Sequence, residues 1–246
     1  MNNRVILALT GADRHDFLDG LVTNVVPTNQ DGLRYAALLT PQGKFIADFF
    51  LLETGSQLLI DVDASAAPGL FQRLNMYRLR ADVQIAETDL IVSRGIDTPP
   101  ADALPDPRHS ALGWRHYGEV DQSQDVDWDA IHVAHVIPQT GIELGPDSYI
   151  LEAGFERLNG VDFKKGCFVG QEIVARMKHK TELRKGLVPV HVDGVAETGA
   201  EITVNGKHVG TLHTRSGDVA IAYLRLDRAK EGMVAGQATL SISAAS

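Results

Sequence analysis

From residue 184 onward the chain is a series of short apolar runs separated by turn residues, and this pattern leaves few folds open to it. Leu187–Val192, Glu201–Val204, Lys207–His213, Val219–Leu224 and Ala238–Ile242 each read as a strand. Asn205-Gly206, between the second and third, is the strongest short-range hairpin signal a sequence offers, because a type I′ turn needs positive φ at both central positions. The spacing predicts a small antiparallel β-barrel over 184–246.

Residues 1–183 read differently, as an α+β region expected to hold two interleaved modules. Strands are expected at Arg4–Leu9, Tyr35–Leu39, Phe45–Leu52, Leu58–Val62, Asp82–Ala86 and Leu90–Ser93. Thr40-Pro-Gln-Gly43 suits a tight turn between the second and third of these. Helices are expected from Asp13, as cap, to Leu21, over Ala66–Tyr77 with Leu70 and Leu74 on one face, and over Trp128–Ile137, stopped by Pro138. Prolines at 99, 100, 105 and 107 make the stretch near 95–108 a connector, since proline removes backbone donors and blocks helix.

One cysteine among 246 residues excludes an intrachain disulfide and most cysteine-based metal sites, which suits a reducing, cytoplasmic setting. A hydrophobic fraction of 44% with no long apolar run argues against a transmembrane helix, and the N-terminal stretch does not read as a signal peptide. A formal charge of −9 disfavours broad binding to nucleic acid or anionic membranes. There is no Cys-x-x-Cys, His-Glu-x-x-His, Gly-x-Ser-x-Gly, Walker-type loop or Gly-x-Gly-x-x-Gly. His132 and His135 share a helix face at a spacing that suits a metal, but no third ligand lies nearby.

The lone cysteine, Cys167, sits in Phe163-Lys-Lys-Gly-Cys-Phe-Val-Gly-Gln-Glu-Ile-Val-Ala-Arg176. Lys164 and Lys165 precede it, Gly166 and Gly170 bracket it, and Gln171 opens a helix, all of which favour a thiolate at a surface. The other reading is a buried cysteine packing as a small hydrophobe. Lys164, Lys165, Arg176, Lys178, Lys180, Arg184 and Lys185 form either a solvated basic face or a collar that attracts an anionic ligand. Asp48 interrupts an apolar strand, so it either faces a ligand cavity or lies on a wet sheet face. Arg80 sits between a helix and a strand, where it lines a pocket or is simply at the surface.

This signature resembles the Lys-Gly-Cys-Tyr/Phe-x-Gly-Gln-Glu motif of the YgfZ-type folate-binding proteins, relatives of the glycine-cleavage T-protein, an aminomethyltransferase. Phe17–Asn24, Leu39–Asp48, Tyr77–Val83 and Ile137-Pro138 onward resemble that family in the same order. The resemblance implies a ring of α+β, ferredoxin-like modules around a central folate cavity, closed by the C-terminal β-barrel. It implies bound tetrahydrofolate and a role in assembly or repair of iron–sulfur clusters, including in tRNA-modifying enzymes. Cys167 would be the functional thiol, Asn24, Asp48 and Arg80 would line the cavity, and Lys164 and Lys165 would draw in the folate's glutamate tail. Gln171, Glu172 and Arg176 complete the implied cofactor-binding set. Implied partners are folate and iron–sulfur clients or assembly factors, for a monomer with no tightly bound metal, no nucleic acid and no membrane.

Two departures from the T-protein are visible. Only one aspartate stands at Ala47-Asp48 where the T-proteins carry two, and Ile131–Pro138 has no carboxylate where they carry a glutamate in Arg-x-Glu-Ala-Gly. Glu152-Ala-Gly154 looks like that motif but falls after the proline and is set aside as chance. These losses favour an accessory factor over a turnover enzyme. The alternatives are a folate-dependent one-carbon transferase and a folate-independent thiol redox protein.

Overall fold

The computed structural model describes residues 3–30, 32–179 and 183–243. Two compact units emerge, and they interleave along the chain: residues 1–126 with 155–175, and residues 127–154 with 176–246. The boundary expected at 183/184 was linear in sequence.

The first unit is built on β1 (Arg4–Thr10), α1 (Arg14–Asp19), β2 (Arg34–Leu39), β3 (Phe45–Glu53), β4 (Leu58–Asp63), α2 (Ala67–Arg78) and β5 (Gln84–Glu87). The strands form one antiparallel sheet in the order β2-β3-β4-β1-β5. They are apolar on both sides because both faces are covered, which is why they read as near-continuous apolar runs. Leu7, Leu9, Phe49, Leu51, Ile60 and Val62 pack against Leu18 and Val22 around α1 and against Leu70 and Leu74 of α2. On the other face Ile6, Ala8 and Leu59 meet Val92. That residue belongs to a second sheet of β6 (Ile91–Gly95), β7 (Leu104–Pro105) and β8 (Trp114–Gly118), in the order β6-β8-β7.

Three elements differ from expectation, one of them the two-residue β7, which pairs with β8 inside the connector expected near 95–108. The first helix ends at Asp19, and Asp13 does not cap it: its carboxylate accepts from the Asp82 amide at 2.8 Å. β8 was not foreseen, because Trp114-Arg-His-Tyr-Gly118 lacks an apolar run; its Arg115 is buried by pairing with acids.

The second unit contains α3 (Trp128–His135), capped by Asp127, whose carboxylate accepts from the Ala130 amide at 3.0 Å. It stops two residues short of expectation. Val136 turns left-handed at φ 49°, and Ile137, preceding Pro138, is kept out of helical space by the proline ring. α4 (Gln171–Lys178) holds residues of both units, 171–175 of the first and 176–178 of the second. The barrel strands are β9 (Lys185–Asp193), β10 (Glu201–Val204), β11 (Lys207–Ser216), β12 (Val219–Arg225), β13 (Met233–Ala235) and β14 (Ala238–Ile242). They close in the order β10-β11-β12-β9-β14-β13, with register shifts at Ile202/Thr203 and Leu212/Arg215 that supply local bends. Asn205 and Gly206 have φ of 51° and 72°, as the turn demanded. The three-residue β13 was too short to be read from sequence.

Candidate functional site

The cysteine loop is fixed from both sides. Before it, the Asp162 carboxylate accepts from the Lys164 amide at 2.7 Å. The Lys165 side chain is only 1% exposed. Its ammonium donates to the carbonyls of Asp19 (2.7 Å), Val22 (2.8 Å) and Asn24 (3.0 Å) and lies 3.2 Å from the Asp19 carboxylate. Burial draws this ammonium below the usual lysine range, with Asp19 opposing the shift. After the cysteine, Phe168 is buried with the Lys165 ammonium over its ring. Gly170 adopts φ +86°, and a Cβ there would sit 2.7 Å from the Thr40 carbonyl. The loop is therefore seated on the β2–β3 turn, where Gly43 meets Ile173 of α4 just as closely. Between these anchors Cys167 is exposed. Gly166 adopts no positive φ and has open space around it, so only one of the two bracketing glycines is needed for the turn.

Upstream of the loop lies a cavity of about 650 Å³ within the first unit. Its wall includes Asn24, Arg34, Tyr35, Glu156, Asn159, Asp162, Phe163 and Lys164. The volume suits a drug-sized ligand. Tyr35 stacks on Phe155 with centroids 5.0 Å apart, and its hydroxyl donates to buried Asp48 at 2.9 Å. Burial, then the Asp48 charge, hold that hydroxyl well above the ordinary tyrosine value. Asp48 thus stands behind the wall and positions Tyr35.

Asn24 does line the cavity, but its amide N–H groups already bridge the carbonyls of Tyr35 (2.9 Å) and Asn159 (2.8 Å), and its oxygen accepts from Val25. Thr23 adds to the same seam: its hydroxyl donates to the Gly160 carbonyl at 2.7 Å and accepts from the Ala37 amide. Arg80 is exposed in the turn after α2 and is not part of the wall. Gln171 is half-buried at the start of α4, while Glu172 and Arg176 are exposed on it. Lys178, Arg184 and Lys185 are exposed, and Lys180 lies outside the described residues. Of the expected cofactor-binding set, Asn24 and Lys164 line the cavity, Asp48 supports it, and Lys165 is withdrawn as a buried anchor.

Sequence reading missed the charged ladder beneath the cavity. Asp61 accepts from Arg4 (2.6 Å), Arg115 (2.8 Å) and the Tyr117 hydroxyl (2.9 Å). Asp106 accepts from Arg115 (3.0 Å) and, through both oxygens, from Arg108 (3.0 and 2.9 Å). The Arg108 and Arg115 guanidinium groups lie 4.9 and 3.8 Å from the centroid of the Phe50 ring. Burial alone would raise both carboxyls; Arg4 and Arg115 hold Asp61 below the usual range, and Arg108 and Arg115 hold Asp106 well below it. Burial and the charges of Arg115, Arg108 and Arg4 bring Arg94 down to about 10. Asp61 interrupts Leu58–Val62 as Asp48 interrupts its own strand, and that shared signal could have found it.

Among the described residues no group of three or more His, Cys, Asp or Glu side chains could hold a metal ion. In the second unit Glu143 accepts from the Thr214 hydroxyl (2.5 Å) and amide (3.1 Å), and Glu152 from the Tyr223 hydroxyl (2.6 Å). Both tie the 127–154 segment to barrel strands.

Residues 184–246 match the family model described as the CAF17 C-terminal β-barrel domain. Over 94% of this chain and 78% of theirs, the mitochondrial iron–sulfur cluster assembly factors IBA57 of Mus musculus and Homo sapiens are 28% and 27% identical to it. The mitochondrial IBA57 homolog of Neurospora crassa is 29% identical over 80% of this chain, which spans about half (54%) of that relative's length. All three relatives are mitochondrial by name, which overturns the cytoplasmic expectation; a single cysteine and the lack of an apolar span do not fix a compartment. The crystal structure of aminomethyltransferase T of the glycine cleavage system from Bartonella henselae aligns with 99% of this chain and 83% of its own, with a TM-score of 0.77 at 14% identity. The chain therefore has the aminomethyltransferase T fold, with a closed six-stranded C-terminal barrel of the CAF17 type.

Proposed function

We propose that this protein is an assembly factor for iron–sulfur clusters in which Cys167 serves as an exchangeable thiolate ligand. The observation that carries this is an exposed sulfur on an otherwise immobilised loop, in a chain similar along most of its length to iron–sulfur cluster assembly factors. A thiol meant for core packing would not be held out by a buried ammonium on one side and a closely packed glycine on the other. One thiolate cannot hold a cluster alone, so the cluster is cargo shared with a partner that brings the remaining ligands.

The cavity is assigned to a reduced folate. Phe163, partly exposed in the wall, offers a flat surface for a pterin, and Glu156 and Asp162 carry the carboxylates that its donor-rich edge requires. Arg34 and Lys164 supply cations for the glutamate tail. Support for iron–sulfur enzymes including tRNA-modifying ones, rather than turnover of a one-carbon substrate, is the role assigned to the pair.

Cys167→Ala is expected to fold with an unchanged Tm and to leave iron–sulfur enzyme activities unrestored in a strain lacking this protein. Full restoration by that variant would end the thiol reading. Calorimetric titration with tetrahydrofolate tests the cavity separately: binding weakened by Lys164→Glu is expected, and no heat with the full-length protein rejects the folate assignment.

A further inference from the structure

The helix α2 has a face that the fold does not use. Leu70 and Leu74 point into the core, at about 100° per residue Gln72 and Met76 fall on the opposite side, and Leu79 follows exposed at the C-cap. Met76 is 61% exposed, Leu79 88%, and Phe71 at the flank 39%. The stripe carries no charge, yet Arg73 borders it on one side and exposed Arg80 follows it, while Arg78 turns toward the core side and donates to the Val83 carbonyl. Ser65–Ala81 contains those three arginines and no carboxylate, within a chain whose formal charge is −9. An apolar centre with a basic border is the composition of a docking surface for an acidic protein.

Leu79 adds an independent observation. Its backbone is at φ 43°, ψ −102°, a conformation that glycine adopts freely and leucine does not. The strain has a clear origin: the chain must turn at once to bring Asp82 against Gly11, where a Cβ would lie 2.1 Å from the Asp82 carbonyl. That explains the turn but not the leucine. Glycine would suit the backbone, and nothing in the core gains from an almost fully exposed isobutyl group.

The position of α2 fits the cluster role. α1 and α2 cover the same face of the five-stranded sheet. The exit of α2 is tied to Asp13 at the start of α1, and the Cys167 loop is tied through Lys165 to Asp19 at its end. These ties are one six-residue helix apart, roughly 9 Å.

We infer that the outward face of α2, centred on Met76 and Leu79, docks an acidic, apolar-centred surface of the protein that brings the cluster's other ligands; this rests on the cluster reading above. Four full-length variants test it by complementation, thermal unfolding and cross-linking in cells from p-benzoylphenylalanine at position 72. Leu79→Gly is expected to raise Tm by about 2 °C while cutting the cross-link, because it relieves the backbone and removes the contact. Met76→Asp/Leu79→Asp and Arg73→Glu/Arg80→Glu are expected to fold and to lose cross-link and complementation by about tenfold or more, as several buried contacts would. The cross-linked protein should carry cysteines and an acidic surface. If Cys167→Ala fails to complement while the face variants complement fully, the docking surface is wrong and the cluster role stands. If Cys167→Ala complements too, both fall. A cross-link to a second copy of this chain, or binding of the protein to anionic phospholipid vesicles lost in the Arg73→Glu/Arg80→Glu variant, also overturns the proposal.

Discussion

Burying the Lys165 ammonium takes a full charge out of water, and the fold accepts this because three carbonyls and the Asp19 carboxylate surround it. Lys165→Met keeps the volume but strands those carbonyls, so we expect a loss of about 2–4 kcal/mol in urea unfolding and faster, less uniform alkylation of Cys167. Asp61 and Asp106 are held by arginines in the same way, and here the charge has a pH signature. Their folded pKa values lie below that of an unperturbed aspartate, so their contribution is present above about pH 4 and is lost as pH falls from there toward the folded values. Tm should therefore be steady near neutrality and drop on acidification below about pH 4. Asp106→Asn should lower stability at pH 7 by about 3 kcal/mol and flatten that acid limb. At this scale the sequence was partly legible. It flagged Cys167 and Asp48 by type and setting, yet it presented Lys165 as a surface cation because its carbonyl partners lie more than 140 positions away.

Elements were easier to read than their ends. The strands of both units appear close to where apolar runs and turn residues put them, since burial on two faces or inside a barrel leaves a plain trace. β8 and β13 escaped because one depends on buried arginine pairing and the other on only three residues. What patterning could not show is how closely elements approach. Gly170 and Gly206 both have positive φ, but only Gly170 has a carbonyl 2.7 Å from where a Cβ would be. Gly206→Ala should cost about 1 kcal/mol, from backbone strain alone, in thermal unfolding. Gly170→Ala should cost about 3 kcal/mol or more, because the loop must also lift off the β2–β3 turn. Equal losses for the two would refute the close-packing account of the cysteine loop.

For the molecule as a whole, the resemblance read in the signature agrees with the measured likeness in fold and in the iron–sulfur relatives. Compartment was misjudged because composition carries no address. Interleaving was expected within residues 1–183, but the grouping of 127–154 with the barrel was not legible, since it depends on which distant segments touch. It predicts that a 1–126 fragment will not unfold cooperatively by circular dichroism. That fragment lacks Phe155 against Tyr35, the Asn159 and Gly160 carbonyls that Asn24 and Thr23 grip, and buried Phe168. Adding residues 155–175 as a separate peptide should restore part of the transition. The same interleaving sets an order of events during synthesis. The first unit is left open while residues 127–154 emerge, and its last piece to leave the ribosome is the one bearing Cys167. The Cys167 sulfur is thus seated on the β2–β3 turn only after the sheet beneath it has been made, and an unfinished chain leaves its loop without that support.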